Sequence, residues 1–407
     1  MKSTKFLTAL LLLIAVVSAT AVAQSYAIKA QVLYTMNGDP ILNGVVLVED
    51  GKIQSVGAAG EIAIPADAEV FEARVVTPGF IDARSVVGLA GAENLPHVSD
   101  HIERSNPFQP ELRAIDAYNA REHLVVWLSN LGITTIHTGH APGAIASGQT
   151  MIAKTTGATL NEALVDSVTM VAFTLGSSVS QNYSQVGSRS RTIAMLRSEF
   201  IKAQEYLARV ESAGGDASKL PSRDLKLETM AAVLKGEIKA LITAQQVTEI
   251  LGALRLQEEF GFDLVLDGAA EAYLVLDEIK AAGVPVFVHP PMVRTRGETR
   301  NASWETPAKL YEAGIPFAFQ AGYEGYVPKT RVVHFEAGIA VANGLPYEEG
   351  LAALTITPAK ILGVDHRIGS LEVGKDADIV LFDGDPFEYI THTIGVMIDG
   401  KMVYLKE

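Results

Sequence analysis

The chain has 407 residues, 48% hydrophobic and 20% charged, which excludes wholesale disorder and leaves room for a large core plus a smaller companion domain. Acidic residues outnumber basic ones 47 to 33, a formal charge of −14, which disfavours nucleic acid and anionic membrane surfaces as partners. There are no cysteines, so stability must come without disulfides.

Residues 1–23 read as a secretory signal. Lys2 and Lys5 give a positive start, Phe6 to Val17 an apolar core, and Ala21-Val22-Ala23 a small-residue cleavage site before Gln24. Cleavage after Ala23 is favoured over a membrane anchor because the apolar run is short of the roughly 20 residues a span needs. A periplasmic or secreted location follows, and loss of the two lysines takes the charge from −14 to −16.

Next, GVVLVEDGKIQSVG (44–57) sets Asp50-Gly51 between two apolar strands, a hairpin signal. RVVTPGFIDARSVVGLAG (74–91) then passes from an apolar run through Pro78-Gly79 into Phe80-Ile81-Asp82 and reaches Arg84, Ser85 and Val86. It looks like the first strand of a barrel opening on an active-site mouth. The middle alternates apolar strands with helical patterns. Strand candidates are 133–138, 168–174, 238–243, 263–267, 284–289 and 315–320; helix candidates are 112–131, 192–212, 224–235, 246–260, 270–282 and 334–343. Two long connectors, 91–110 and 175–191, are placed at the barrel mouth. Near the end, 377–385 and 394–405 read as strands, with Asp399-Gly400 marking a second hairpin.

The predicted class is therefore α/β: a TIM-like (β/α)8 barrel with a small β-domain assembled from both chain ends. A doubly wound sheet is the alternative, although no Gly-rich nucleotide turn follows the first strand. The predicted division is 1–23 signal, 24–76 first part of the β-domain, 77–364 barrel and 365–407 second part of the β-domain.

Three stretches carry a family resemblance. TPGFIDARS (77–85) resembles the Pro-Gly-Phe-Ile-Asp-x-His-x-His opening of the amidohydrolase superfamily. LTITPAKILGVDHRIGSLEVGKDADIVLFDGDPFEY (354–389) is similar to its closing segment, and GITTIHTGH with SGQTMIAKTTG (132–157) to its imidazolonepropionase-like branch. The resemblance implies a barrel with a small β-sandwich and hydrolysis of C–N bonds. It also implies metals, commonly zinc, held by two His after the first strand and two from later strands. A carboxylated Lys sometimes bridges them, and a late Asp acts as general base on metal-bound water.

This sequence departs at each such position. Arg84 and Val86 replace the first His pair; a guanidinium has no lone pair to offer and Val no donor atom. Later strands offer Thr243 with Gln245 or Gln246, then Asp267, then Gln320. No cofactor is therefore expected. The weak alternative is a rebuilt zinc site from His137, His140 and His289; His97 and His101 in the first long connector are the other mouth histidines. Otherwise these side chains are hydrogen-bonding pocket residues. Lys154 and Lys235 are the nominees for a bridging Lys, against ordinary ion-pairing roles, and Ser85, His137 and Asp267 can be drawn as a triad. Arg84 either grips a ligand carboxylate or pairs with Asp82 or Asp267. Asp376, Asp378, Asp383 and Asp385 suit β-turns better than a calcium loop, and Tyr323 and Tyr326 either line a pocket or pack over the mouth.

The pocket candidates are thus Arg84, His137, His140, Asp267, His289 and Gln320, with the catalytic residues unknown. Two functions stay open. One is an exported hydrolase of a small amide, peptide or cyclic ureide with a degenerate metal site. The other is a noncatalytic ligand-binding protein, or the partner of a metal-complete paralogue. A small-molecule ligand and a homo-oligomer, or a hetero-oligomer with that paralogue, are the expected partners.

Overall fold

The structure, a computed structural model, describes residues 25–92, 95–323 and 332–406. The expected signal, Tyr326 and part of the first long connector lie outside these. Among the described residues, no helix is long and apolar enough to cross a membrane.

Strands from both chain ends share one sheet. The first group is β1 (Ser25–Leu33), β2 (Ile41–Glu49), β3 (Lys52–Ala58) and β4 (Glu69–Pro78). The last is β15 (Ile379–Phe382), β16 (Thr393–Ile398) and β17 (Lys401–Leu405). Their order is β17-β16-β15-β4-β1-β2-β3, so the join between the two ends is the antiparallel pair of β15 with β4. Ile28, Val46, Ile53, Val76, Ile379 and Met397 form the centre of the sheet's own apolar cluster. Both Asp-Gly hairpins are present with positive φ at both turn residues: Asp50 51° and Gly51 80°, Asp399 49° and Gly400 72°. The two turns also touch. A Cβ on Gly400 would come within 2.4 Å of the Gly51 Cα, so the contact requires glycine there for space as well as for φ.

Between the ends run β5 (Phe80–Ser85), β6 (Ile133–Thr138), β10 (Met170–Thr174), β11 (Lys239–Ala244), β12 (Leu264–Gly268), β13 (Val286–Val288) and β14 (Phe317–Phe319). β5 pairs parallel with β6, and β10 to β14 are parallel in order. The gap between β6 and β10 is filled differently. There, β7 (Ala146–Gln149) pairs antiparallel with β10, and β8 (Met151–Lys154) antiparallel with β6. Thr150 joins the two halves into one bent stave, and β9 (Leu164–Asp166) flanks β8. At the other side, the Ala321 backbone N–H donates to Asp82 Oδ1 at 3.1 Å, tying the end of β14 to β5.

Four helical readings match closely: Arg189–Ser212, Leu225–Leu234, Val247–Phe260 and Val333–Ala342. Two are corrected. Of 112–131, only His123–Ser129 is α-helical, because the Glu122 side chain caps Leu124 N–H and the Asn119 side chain turns the chain by accepting from Arg121 N–H. The run 270–282 breaks into a 3-10 turn, Ala272–Leu274, and the helix Leu276–Ala282.

Lys154 joins the parallel layer to the end-built sheet. Its buried ammonium reaches Asp378 Oδ2 at 2.5 Å, Asp399 Oδ1 at 3.0 Å and Asp376 Oδ2 at 3.4 Å. Its nomination as a metal-bridging Lys is thereby corrected, since all three carboxylates belong to the other sheet's strands and turns. Asp376 also receives Lys52 and Arg367, which makes this acidic run an ion-pair acceptor. Lys235 pairs with Glu237 at the surface.

Candidate functional site

At the C-terminal ends of the parallel strands, three groupings of polar side chains emerge. The first centres on Asp267 of β12, fully buried. Thr243 Oγ1, at the end of β11, donates to its Oδ2 at 2.6 Å, and Gln320 Nε2, just past β14, to its Oδ1 at 2.7 Å. The same amide nitrogen donates to Phe287 O at 2.8 Å. A main-chain carbonyl only accepts, so Nε2 must face it. Among the described residues, Gln320 Oε1 is left buried without a partner. The Tyr323 hydroxyl is also buried without a hydrogen bond of normal geometry, and burial followed by the Asp267 charge holds its pKa well above the ordinary phenol value.

The second grouping is built on Arg84, which is fully buried. Nη1 donates to Ser85 O at 3.0 Å and Nη2 to His140 O, while the Tyr323 ring centroid lies 5.4 Å from the guanidinium carbon. The fork is thus engaged by carbonyl oxygens and an aromatic face, and neither the carboxylate-gripping reading nor the pair with Asp82 or Asp267 describes its side-chain bonds. Among the described residues, its Nε has no partner.

His137 of β6 forms the third. Nδ1 lies 2.7 Å from Ala83 O, an acceptor, so this nitrogen carries the proton; Nε2 then accepts from Thr150 Oγ1 at 2.6 Å. Burial, reinforced by the Arg84 charge, lowers the ring's pKa to about 3. The ring therefore stays neutral with both nitrogens used. This overturns the Ser85–His137–Asp267 triad, whose members bond elsewhere.

His140 sits after β6, its pKa lowered to about 4 by burial and then by Arg84, with Nδ1 unpartnered among the described residues. His289 lies just past β13. Its Nδ1 is 3.0 Å from Pro290 O, so the proton is on Nδ1 and the lone pair on Nε2, which is buried and has no partner among the described residues. Burial lowers this ring to about 4 as well. His289, Gln320, Tyr323, Gln245, Pro290 and Val293 line one cavity of about 320 Å³. The structure thus gathers His289 and Gln320 at this cavity, while His137 packs inside against Phe287.

These donors do not fit the zinc pair implied by the resemblance. A buried guanidinium and a valine stand at the first two positions, Asp267 has both oxygens engaged, and His137 has no free lone pair. Among the described residues, no three His, Asp or Glu side chains are grouped to hold a metal ion, and that includes His137, His140 and His289.

The two long connectors do meet, through Tyr183 Oη donating to Glu103 O at 2.5 Å. His97 is exposed there, whereas His101 is half-buried and its carbonyl accepts from Ala141 N–H. Thr150 was missed by sequence reasoning: its role depends on the antiparallel stave, for which the local pattern carries no signal.

Comparison with known proteins gives the following. Residues 327–403 match the sequence model of the Amidohydrolase family. The amidohydrolase tasK of Hapsidospora irregularis is 26% identical over 391 residues, covering 88% of this chain and 39% of that protein, so the chain spans about two fifths of its length. The imidazolonepropionase of Fusobacterium nucleatum is 24% identical over 403 residues, covering 89% and 92%. The crystal structure of an amidohydrolase from Thermotoga maritima superposes with a TM-score of 0.88 at 30% identity, over 94% of this chain and all of that one.

Proposed function

The chain belongs to the amidohydrolase family, in its imidazolonepropionase-like branch, and from that premise we propose an exported hydrolase of C–N bonds in small amides, peptides or cyclic ureides that works with a degenerate metal site. We read the seven parallel strands and the bent antiparallel stave as one closed barrel, carrying a small β-sandwich built from 24–76 and 365–407. The stave pairings on both flanks and the bond from Ala321 to Asp82 support that closure.

The observation that carries the reading is the cavity beside Asp267. His289 Nε2 holds a lone pair at neutral pH because burial keeps the ring unprotonated down to about 4. A neutral imidazole there can take the proton from a water whose oxygen attacks the amide carbonyl carbon, and return it to the nitrogen as the C–N bond breaks. Arg84 does not compete for that role, since a guanidinium keeps its proton. Here it supplies fixed positive charge behind the Tyr323 ring.

The test is turnover of hydantoins, small amides and dipeptides by the purified mature protein, with and without chelator, alongside elemental analysis. The expected result is hydrolysis that survives chelation at less than about a tenth of a metal per chain, lost in His289→Phe. Activity abolished by chelator and restored by zinc overturns the degenerate-site reading. No turnover by a folded protein on any substrate overturns hydrolysis and leaves the noncatalytic role.

A further inference from the structure

We propose that a basic turn, 292–304, docks on the acidic turn 383–390 of a second copy of this chain, and the reverse, giving a two-fold dimer. The proposal is independent of whether hydrolysis occurs.

The connector after β13 spends its neutralising groups inward. Met292 N–H donates to Glu336 Oε2 at 2.7 Å, and Asn301 Nδ2 donates to Glu271 Oε1 at 2.6 Å. The Glu298 carboxylate accepts from Ser177 N–H and lies 3.5 Å from Arg189. Thr299 Oγ1 closes the turn, 2.9 Å from Arg294 O and 3.0 Å from Arg296 O. Left outside are Arg294, Arg296 and Arg300, all exposed and, among the described residues, in no ion pair. Beside them, Trp304 is 58% and Met292 44% exposed. No lysine lies in 289–304. Arginine, Trp and Met without lysine is the composition of a protein–protein interface rather than of an ordinary solvated face.

The turn 383–390 carries the opposite charge. Asp385 Oδ1 accepts from Tyr347 Oη at 2.8 Å, which sets the helix Tyr347–Ala352 beside it. Glu388 on the turn and Glu348 on that helix are exposed and, among the described residues, in no ion pair. Next to them Tyr389 is 87% and Ile390 81% exposed, two large apolar side chains left in water.

Both turns flank one helix, Val333–Ala342. On one flank the Phe335 and Tyr389 rings lie 6.0 Å apart, and a Cβ on Gly338 would sit 3.3 Å from Phe387 Cβ. On the other, Glu336 holds Met292 N–H, and Asn343 lines a groove of about 620 Å³ with Arg294 and Trp304. A two-fold axis near this helix therefore lays each basic turn on the other copy's acidic turn, a self-complementary contact. That neighbourhood also selects the occupant. A nucleic acid or other polyanion drawn to the arginines would be repelled by the acidic turn across the helix, whereas a second copy satisfies both.

The test is sedimentation of the mature protein across micromolar concentrations, with two charge-reversed variants. The unaltered chain is expected to dimerise and to weaken about tenfold between roughly 0.05 and 0.5 M salt. Arg296→Glu with Arg300→Glu, and separately Glu348→Lys with Glu388→Lys, should each weaken self-association at least about a hundredfold, since like charges then meet twice per dimer. Mixed together, the two variants should form a one-to-one heterodimer, because each reversed turn again faces its opposite. A measurement on the unaltered protein guards against misfolded variants. Trp304 should become less accessible to acrylamide as concentration rises, with Trp304→Phe identifying the signal. A monomer at every concentration, a dimer indifferent to both reversals, or a mixture that stays apart overturns the proposal. So does a monomer whose arginines bind a polyglutamate peptide, which would assign the basic turn to a different partner.

Discussion

A histidine at a barrel mouth invites a functional reading, but what it can do is decided by what its two nitrogens touch. His137 ends as a neutral spacer because Ala83 O takes its one proton and Thr150 supplies the other bond. Thr150→Val is therefore expected to cost about 1–3 kcal/mol in urea unfolding, by leaving Nε2 buried and unmet, whereas Thr150→Ser should retain most of the stability. His137, His140 and His289 also set a pH dependence. Their folded-state pKa values lie below the ordinary 6.5, at about 3, about 4 and about 4, with burial as the largest cause in each. The unfolded chain therefore binds more protons in this range. Their contribution to stability is full above about 6.5 and is lost as pH falls through these folded values. Histidine-ring NMR should show these three imidazoles, and His334, which burial also lowers to about 4, still neutral at about pH 5, with thermal stability dropping on that acid limb. Titration of all three near 6.5 in the folded protein would refute the burial argument.

At the scale of elements, Lys154 ties the two layers by ion pairs beside an apolar contact that includes Phe80 on Phe382. Burial alone would depress the Lys154 ammonium, but Asp378, Asp399 and Asp376 outweigh it and its pKa stands above the ordinary lysine value. Asp378 is pushed up by its own burial although Lys154 pulls it down, whereas Asp376, reached by Lys52 and Arg367 as well, is held low. Lys154→Met should cost about 3–5 kcal/mol, because it strands buried carboxylates. Adding Asp378→Asn should recover part of the loss, read as the denaturation midpoint. Full additivity of the two costs would mean that they do not interact. The sequence pattern showed the Asp-Gly hairpins and the strand-helix alternation, since turn chemistry and periodicity are local. It did not show that Gly51 and Gly400 would abut, nor that Ala146–Lys154 would run antiparallel. Those depend on partners far along the chain.

For the whole molecule, family membership was legible because the opening and closing motifs lie in turns and strands whose backbone demands particular residues. That Arg84, Val86 and Gln320 are neither histidine nor aspartate was equally plain, being a matter of residue type alone. Which atoms remain free to act was not legible, since it follows from carbonyls that only the fold brings near, such as Pro290 O and Phe287 O. A ligand that binds only the folded state raises its stability in proportion to the logarithm of its saturation, about 2.7 kcal/mol at a hundredfold excess over its dissociation constant. A retained zinc site would make thermal unfolding respond to both chelator and added zinc. With Arg84 buried, Asp267 engaged on both oxygens and His137 lacking a free lone pair, that response should be absent. The melting temperature is expected to be unchanged within error in EDTA and in micromolar zinc, at a pH above 7. A drop of several degrees in EDTA, reversed by zinc, would show that this mouth still holds a cation and that the side chains rearrange to reach it.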